Sequence, residues 1–325
     1  MPKSTTQHDS RHAEHPDRTE RPDRAEHPDR TDRGADRETV AARLLTASER
    51  HTLPPDTEVA WGTPWDPDLW FLPPHLVSLY DTPLWREMSP ARRRELSRHE
   101  AASHAWTLLQ GENMLIRMLA RHIVPLDPTA QHVRYALTEI EDECRHSKMF
   151  ARLIGELAVP VHHRSALDRF RTALWQLGAG PVRVFSAALI IEEVLDRFQR
   201  AAMADPSVQR VVRDVCRVHV VEESRHIRYA RAELERQLAS CSRPKRWATR
   251  LVCGLSALVV SRRLIPPQVY AEVGLDPRRA TREARTSPHR RTTLRWSAAR
   301  LTAFLTTTGA QGPPGTWAWR RSGFL

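Results

Sequence analysis

Lysine is nearly missing from this chain. It occurs only at Lys3, Lys148 and Lys245, so the formal net charge of +11 is carried by arginine. A basic chain can bind nucleic acid or an anionic surface, but no nucleic-acid-binding motif is present, and no such partner is expected. Cysteine is scarce: Cys144, Cys216, Cys241 and Cys253 show no Cys-x-x-Cys spacing, which leaves buried thiols in a reducing compartment as the expectation. Long apolar runs are lacking too. The longest, Leu251 to Val260, is followed by Arg262 and Arg263 and falls short of the roughly 20 residues that cross a bilayer. The N-terminus has no apolar signal core. A cytoplasmic protein with no membrane partner is therefore expected. There is no glycine-rich phosphate loop, no dinucleotide glycine pattern and no hydrolase triad, which sets aside nucleotide-driven, nicotinamide-dependent and serine-hydrolase chemistry.

What is present is a composition able to bury a core, 40% hydrophobic and 27% charged, in a length of 325 residues that suits one large domain or two small ones. Residues 1–37 stand apart. Glu14-His-Pro-Asp-Arg-Thr19 repeats as Glu20-Arg-Pro-Asp-Arg-Ala25 and Glu26-His-Pro-Asp-Arg-Thr31. A six-residue period with proline in every unit and almost no apolar side chain cannot form a core, so a disordered tail is expected. Residues 38–325 are read as one domain. A short amphipathic helix is expected over 38–50, then an irregular arm rich in Pro and Trp over 52–90.

Ser89-Pro90 has the form of a helix start, Ser as the cap and Pro in the first turn. The helix is expected to reach Ile123, with an apolar face that includes Ala105, Leu108, Leu115 and Leu119. Glu112 sits within that face, and a lone buried carboxylate is costly unless paired or bound to a metal. A second helix is expected from the Pro125-Leu-Asp-Pro128 turn to about Ala158. After a connection containing a short helical pattern (Ala166 to Leu177), a third is expected over Val182 to Met203 and a fourth over Ser207 to Leu238. Three more helical segments follow, Arg246 to Ile265, Pro266 to Pro277 and Ser287 to Leu305.

The second and fourth helices carry related motifs, Asp142-Glu143-Cys144-Arg145-His146 and Glu222-Glu223-Ser224-Arg225-His226. Glu-x-x-His occurs nowhere else in the chain. On the fourth helix His219, Glu223 and His226 fall within roughly 60° of arc. Glu112 and Glu143 are nearly equidistant from their turn, so an antiparallel hairpin sets them at one height, about 22 Å from it. Residues 192 and 223 are likewise nearly symmetric about the Asp205-Pro206 turn. Of Glu192 and Glu193, the first shares its face with Phe185, Ala188, Leu189 and Leu195 and is taken to point inward.

The candidate ligand set is thus Glu112, Glu143, His146, Glu192, His219, Glu223 and His226. One Glu from each of two helices and Glu-x-x-His from each of the others is the pattern of a dinuclear carboxylate site in a four-helix bundle. Carboxylates with imidazole favour iron or manganese over zinc, and four carboxylates balance two ferrous ions. Asp142 and Glu222, directly before the ligand carboxylates, are expected to orient ligating histidines. Both could instead be ion-pair partners of Arg145 and Arg225.

Over residues 90 to 310 these residues resemble the AurF-type non-haem diiron N-oxygenases, ferritin-like enzymes. That family's ligand helices carry a lone Glu, a Glu-x-x-His, another lone Glu and a His-x-x-x-Glu-x-x-His, matched here by Glu112, Glu143 with His146, Glu192, and His219 with Glu223 and His226. The Val-Tyr-Ala-Glu-Val-Gly-Leu-Asp-Pro and Pro-His-Arg-Arg-x-x-x-Leu-Arg-Trp segments resemble its C-terminal region, whereas residues 1–37 have no counterpart there. The resemblance implies an all-α ferritin-like four-helix bundle with additional N- and C-terminal helices, holding two iron ions. It implies oxidation of a small aryl amine by O2, through a peroxo-diferric species and a hydroxylamine, to a nitro product in natural-product biosynthesis. Electrons would come from an external donor such as a reductase or ferredoxin. A homodimer is one open assembly. If the substrate bears a carboxylate, Arg290, Arg291 and Arg295 are the candidate partners. The rival readings are a diiron hydroxylase or desaturase acting on carbon, and a ferritin-like iron-binding protein.

Overall fold

The computed structural model describes residues 36–162 and 180–325. The 1–37 tail, apart from its last two residues, and the helical pattern at 166–177 lie outside the described residues. Helix α1 spans Arg37–Arg50, α2 Pro55–Glu58 and α3 Pro83–Glu87. The four long helices are α4, Pro90–Ile123; α5, Gln131–Leu157; α6, Pro181–Ala204; and α7, Arg210–Ala239. Then come α8, Arg243–Arg263; α9, Pro267–Glu272; α10, Pro277–Thr286; α11, Pro288–Thr307; and α12, Thr316–Ser322. The fold is all-α. Among the described residues β pairing is limited to one bridge between Trp70 and Val208.

The boundaries follow from local chemistry. Ser89 accepts from Arg92 N, Thr82 from Trp85 N, Asp276 from Arg278 N and Arg279 N, and Ser287 from Arg290 N. In all four cases proline occupies the first helical position, where its missing N–H costs nothing. The two hairpin turns are built alike. Asp127 Oδ1 accepts from Thr129 N (2.9 Å) and Oγ1 (2.7 Å), and Asp205 Oδ1 accepts from Ser207 N (2.9 Å) and Oγ (2.7 Å). An Asp-Pro-Thr/Ser turn thus closes each hairpin.

Helix α4 packs along α5 and α6 along α7, and the hairpins face each other through α4 on α6 and α5 on α7. Helix α1 covers α5 and α7, while α8 and α11 cover α6, and α12 lies on α8. The core falls into two groups of buried side chains, one around Leu96, Phe150, Val212 and Tyr270, the other around Leu119, Tyr135, Phe185 and Leu301. Ile191 packs against both. The Trp-rich arm lies on the first group, with Trp70 stacked on Trp85 at 5.9 Å and Trp65 edge-on to Phe71 at 5.2 Å.

Candidate metal centre

Every one of the seven residues singled out from the sequence is buried, none more than 3% exposed, and the bundle brings them together. Donor atoms of Glu143, His146, Glu223 and His226 lie within 4.8 Å of one another. So do those of Glu112, His146 and His219, and those of Glu192, His219 and Glu223. Within the cluster His219 Nε2 is 3.1 Å from Glu112 Oε1 and 3.8 Å from Glu223 Oε2. His226 Nδ1 is 3.0 Å from Glu223 Oε2 and 3.1 Å from Glu143 Oε1, and His146 Nδ1 is 3.2 Å from Glu143 Oε2. Glu193 takes a different path from its neighbour. It receives the Arg231 guanidinium, whose Nε donates to Oε1 at 2.8 Å.

Each imidazole is held from behind. His146 Nε2 donates to Glu222 Oε2 (2.8 Å) and His226 Nε2 to Asp142 Oδ2 (3.2 Å). The carboxylate beside one motif thus holds the histidine of the other. Asp142 and Glu222 are held ionised and so can only accept; both Nε2 atoms therefore carry a proton and both Nδ1 atoms turn toward the cluster, where a metal would take the place of their protons. The ion pairs weighed from the sequence exist as well. Arg145 bonds both oxygens of Glu222 (3.2 Å each) and also Asp142, and Arg225 lies 3.5 Å from Asp142 Oδ2. The Leu53 N–H adds a bond to Glu222 Oε1 at 2.7 Å. Asp142 and Glu222 therefore serve two functions at once, orienting a histidine and pairing with arginine.

His219 has a partner that the sequence reading did not identify. Its Nδ1 donates to Gln199 Oε1 at 2.7 Å, which turns Nε2 inward. Gln199 follows Glu192 by seven residues on α6, two turns along the same face, and that spacing was the available signal. Gly111 was missed too. A Cβ there would stand 3.1 Å from Ile191 Cγ2 and 3.3 Å from Glu192 Oε1, so glycine makes the room that the Glu192 carboxylate occupies. Glu112 is not the only buried acid of α4, because Glu100 is fully buried and accepts from Ser78 N at 2.9 Å.

Burial, then the neighbouring Glu143 and Glu192 carboxylates, pushes Glu112 well above the ordinary carboxylate range. Burial, then Glu223 and Glu143, does the same to Glu192. Burial lifts Glu223 to about 7 against the pull of His226. Burial would also raise Glu143, but His226 and the hydrogen bonds from Glu112 and His146 outweigh it and hold Glu143 well below its usual value. Burial works against charge on His146, yet its bonds to Glu143 and Glu222 raise it to about 9. His219, desolvated and facing a charged His146, is held neutral. Protons thus offset the mutual repulsion of the carboxylates where cations would do so more fully. Glu112 Oε2 and Glu192 Oε2 remain buried without any hydrogen-bond partner. Orphaned carboxylate oxygens beside inward-facing imidazole nitrogens are a donor set that fits divalent metal.

The three candidate arginines part company. Arg290 is buried, its guanidinium 5.9 Å from the Phe198 ring and in the field of Glu100, whereas Arg291 and Arg295 are exposed and line a different hollow. His104, two helical turns before Glu112, packs edge-on against the same Phe198 ring at 5.3 Å.

Comparison with known proteins adds a family. Residues 34–309 match the family described as P-aminobenzoate N-oxygenase AurF. Among curated proteins, an uncharacterized protein of Mycobacterium bovis (Mb0909) and one of Mycobacterium tuberculosis (Rv0885) are each 28% identical over 250 residues, 74% of this chain and 74% of theirs.

Proposed function

We propose, from the premise that this chain belongs to the P-aminobenzoate N-oxygenase AurF family, that it is an O2-dependent diiron oxygenase converting an aryl amine to its hydroxylamine and nitro products. The observation that carries this reading is the orientation of the imidazoles. His146, His219 and His226 are each bonded at one nitrogen to a carboxylate or amide, so the other nitrogen faces the buried Glu112, Glu143, Glu192 and Glu223. Those seven residues would hold two iron ions, which when bound supply electrons to dioxygen.

The remaining work falls to the protein. Glu222, Asp142 and Gln199 keep protons on His146 Nε2, His226 Nε2 and His219 Nδ1, and so leave the opposite nitrogens to face the metal. Burial excludes water and preserves the strength of every charge in the site. Arg290 is the arginine suited to a substrate carboxylate, because it alone of the three candidates is buried, beside an aromatic ring. Electrons beyond those of the metal pair come from an external donor, since no flavin or nicotinamide motif occurs in the chain.

The test is to load the protein with ferrous iron, remove unbound metal, admit oxygen in the presence of 4-aminobenzoate or 4-aminobenzamide, and analyse the products by mass spectrometry. Hydroxylamine or nitro compounds are expected. Carbon hydroxylation or desaturation in place of nitrogen oxidation would move the site to carbon chemistry, and iron oxidised and retained with no organic product would make it an iron-handling protein. In Glu143→Ala and in His226→Ala, iron content is expected to collapse, and full occupancy in either variant would overturn the ligand assignment.

A further inference from the structure

The sequence led to the expectation of no membrane partner, and no helix among the described residues is long and apolar enough to cross a bilayer. The distribution of charge and apolar surface points to a different kind of contact. From Arg236 to Ala271, and again from Ala284 to Leu325, the chain contains no aspartate or glutamate. Those two stretches hold fourteen arginines and lysines, more than the whole +11 excess of the protein. Twelve of the fourteen lie on α8, α11 and α12, the other two, Arg236 and Arg285, at the ends of α7 and α10. Helix α6, which both α8 and α11 cover, brings only Glu192, Glu193 and Asp196, and all three are buried.

The same elements carry four of the eight exposed large apolar side chains among the described residues. Trp247 is 56% exposed, Leu255 40%, Val259 44% and Trp317 48%. On α8, Leu255 and Val259 follow each other by one turn on the face turned away from buried Cys253, Ala257 and Val260. The α8–α12 contact brings Trp317 to the same level along α8. A Cβ on Gly254 would come within 2.4 Å of Gly315 O, and Ser261 Oγ donates to Ser322 O. Both pairs are offset by the same 61 residues, so the helices run parallel, with Trp317 level with Ser256 and Arg320 level with Val259. Arg243 and Lys245 lie near Trp247 at the start of α8, Arg262 follows Val259 on the same face, and Arg320 and Arg321 lie on α12; all five are exposed. At the end of α12 lies a hollow of about 570 Å³ lined by Arg291, Arg295, Thr316, Arg320, Gly323 and Leu325, with no acid among them.

We propose that the α8–α12 face is a docking surface for an anionic phospholipid bilayer. Arginines around aliphatic and tryptophan side chains match the headgroup boundary, where cations meet lipid phosphate while the apolar tips reach the acyl region. The arginine-lined hollow offers a seat for one phosphate headgroup. Nucleic acid would satisfy the charge but has no place for Leu255 and Val259. The contact is peripheral and independent of the oxygenase reading.

The iron-loaded full chain is sedimented with phosphatidylcholine vesicles containing about one third phosphatidylglycerol, with pure phosphatidylcholine vesicles, and with duplex DNA in competition. Binding to the anionic vesicles is expected, with little to the neutral ones, weakening as salt is raised. Leu255→Asp/Val259→Asp and Arg320→Ser/Arg321→Ser are each expected to weaken it at least about tenfold, with melting temperature and iron content unchanged. The proposal is overturned by no vesicle binding, by equal binding to neutral vesicles, by folded variants that bind as the parent does, or by DNA displacing the vesicles.

Discussion

The histidines set the terms at the level of single residues. An imidazole can present a lone pair to a metal only if its other nitrogen keeps the proton, and here that proton is pinned by Glu222, Asp142 and Gln199. Gln199→Leu removes the pin from His219 and leaves Nδ1 buried without a partner. Iron affinity in that variant is expected to fall about 10–100-fold, read by competition with a chelator, while helicity is unchanged. A second consequence concerns His104. Burial, then the charge of Arg290, pushes it down to about 3 from an ordinary 6.5. The folded protein therefore holds it neutral, the unfolded chain takes up its proton below 6.5, and the stability it contributes is present above 6.5 and lost as pH falls toward 3. His104→Phe is expected to reduce the acid-side slope of stability by up to about 1.4 kcal/mol per pH unit between pH 6 and 4, measured by urea unfolding. An unchanged slope would show that His104 does not bear on acid stability. The seven cluster residues were legible from the sequence because carboxylates and imidazoles set on apolar helical faces at one height are too costly to bury without a cation to share. Gln199 was not, since a lone amide can be buried on such a face with any neighbouring hydrogen-bond partner, and only the bond to His219 distinguishes it.

Among the elements, helix starts and turns were the most legible features. Each long helix was placed from its turn residues, and Ser89-Pro90 marks the start of α4 within the chain as it does in the structure. What the helices pack against was not legible. Gly254 in the middle of α8 reads as a helix-weakening glycine, and replacing it by alanine in an isolated helix would stabilise by about 1 kcal/mol. In the fold the opposite is expected, because the added Cβ would meet Gly315 O at 2.4 Å, backbone that cannot rotate away. Gly254→Ala is predicted to lower stability by about 1–3 kcal/mol, seen as a fall in melting temperature. A variant as stable as the parent would mean that α12 can move off α8 at little cost.

The whole molecule is two hairpins with matching Asp-Pro turns, joined face to face and covered by α1 on one side and the C-terminal helices on the other. Hairpin symmetry carries the carboxylates to one level, since equal distances from a turn become equal heights in an antiparallel pair. The N-terminal repeat lies outside the described residues. A chain lacking residues 1–35 is predicted to keep the iron content and melting temperature of the full chain, because the ligands, both core groups and the covering helices all lie beyond it. Loss of iron on truncation would assign the histidines of the repeat a part in loading. The three candidate arginines show where one-dimensional reading fails at this scale. Arg290, Arg291 and Arg295 were equivalent in the chain, and only the packing of α11 buries the first and exposes the others.

The sequence by itself determined the helices, their pairing into hairpins, the seven-residue cluster and the family, because periodicity, turn chemistry and motif spacing are local properties written at intervals of a few residues. The tertiary structure alone decided which imidazole nitrogen faces the site, which carboxylate supports which histidine across helices, which arginine is buried, and which helices bring the two acid-free stretches together. These are properties of side chains far apart in the chain, and their distances and desolvation are set only when the helices pack.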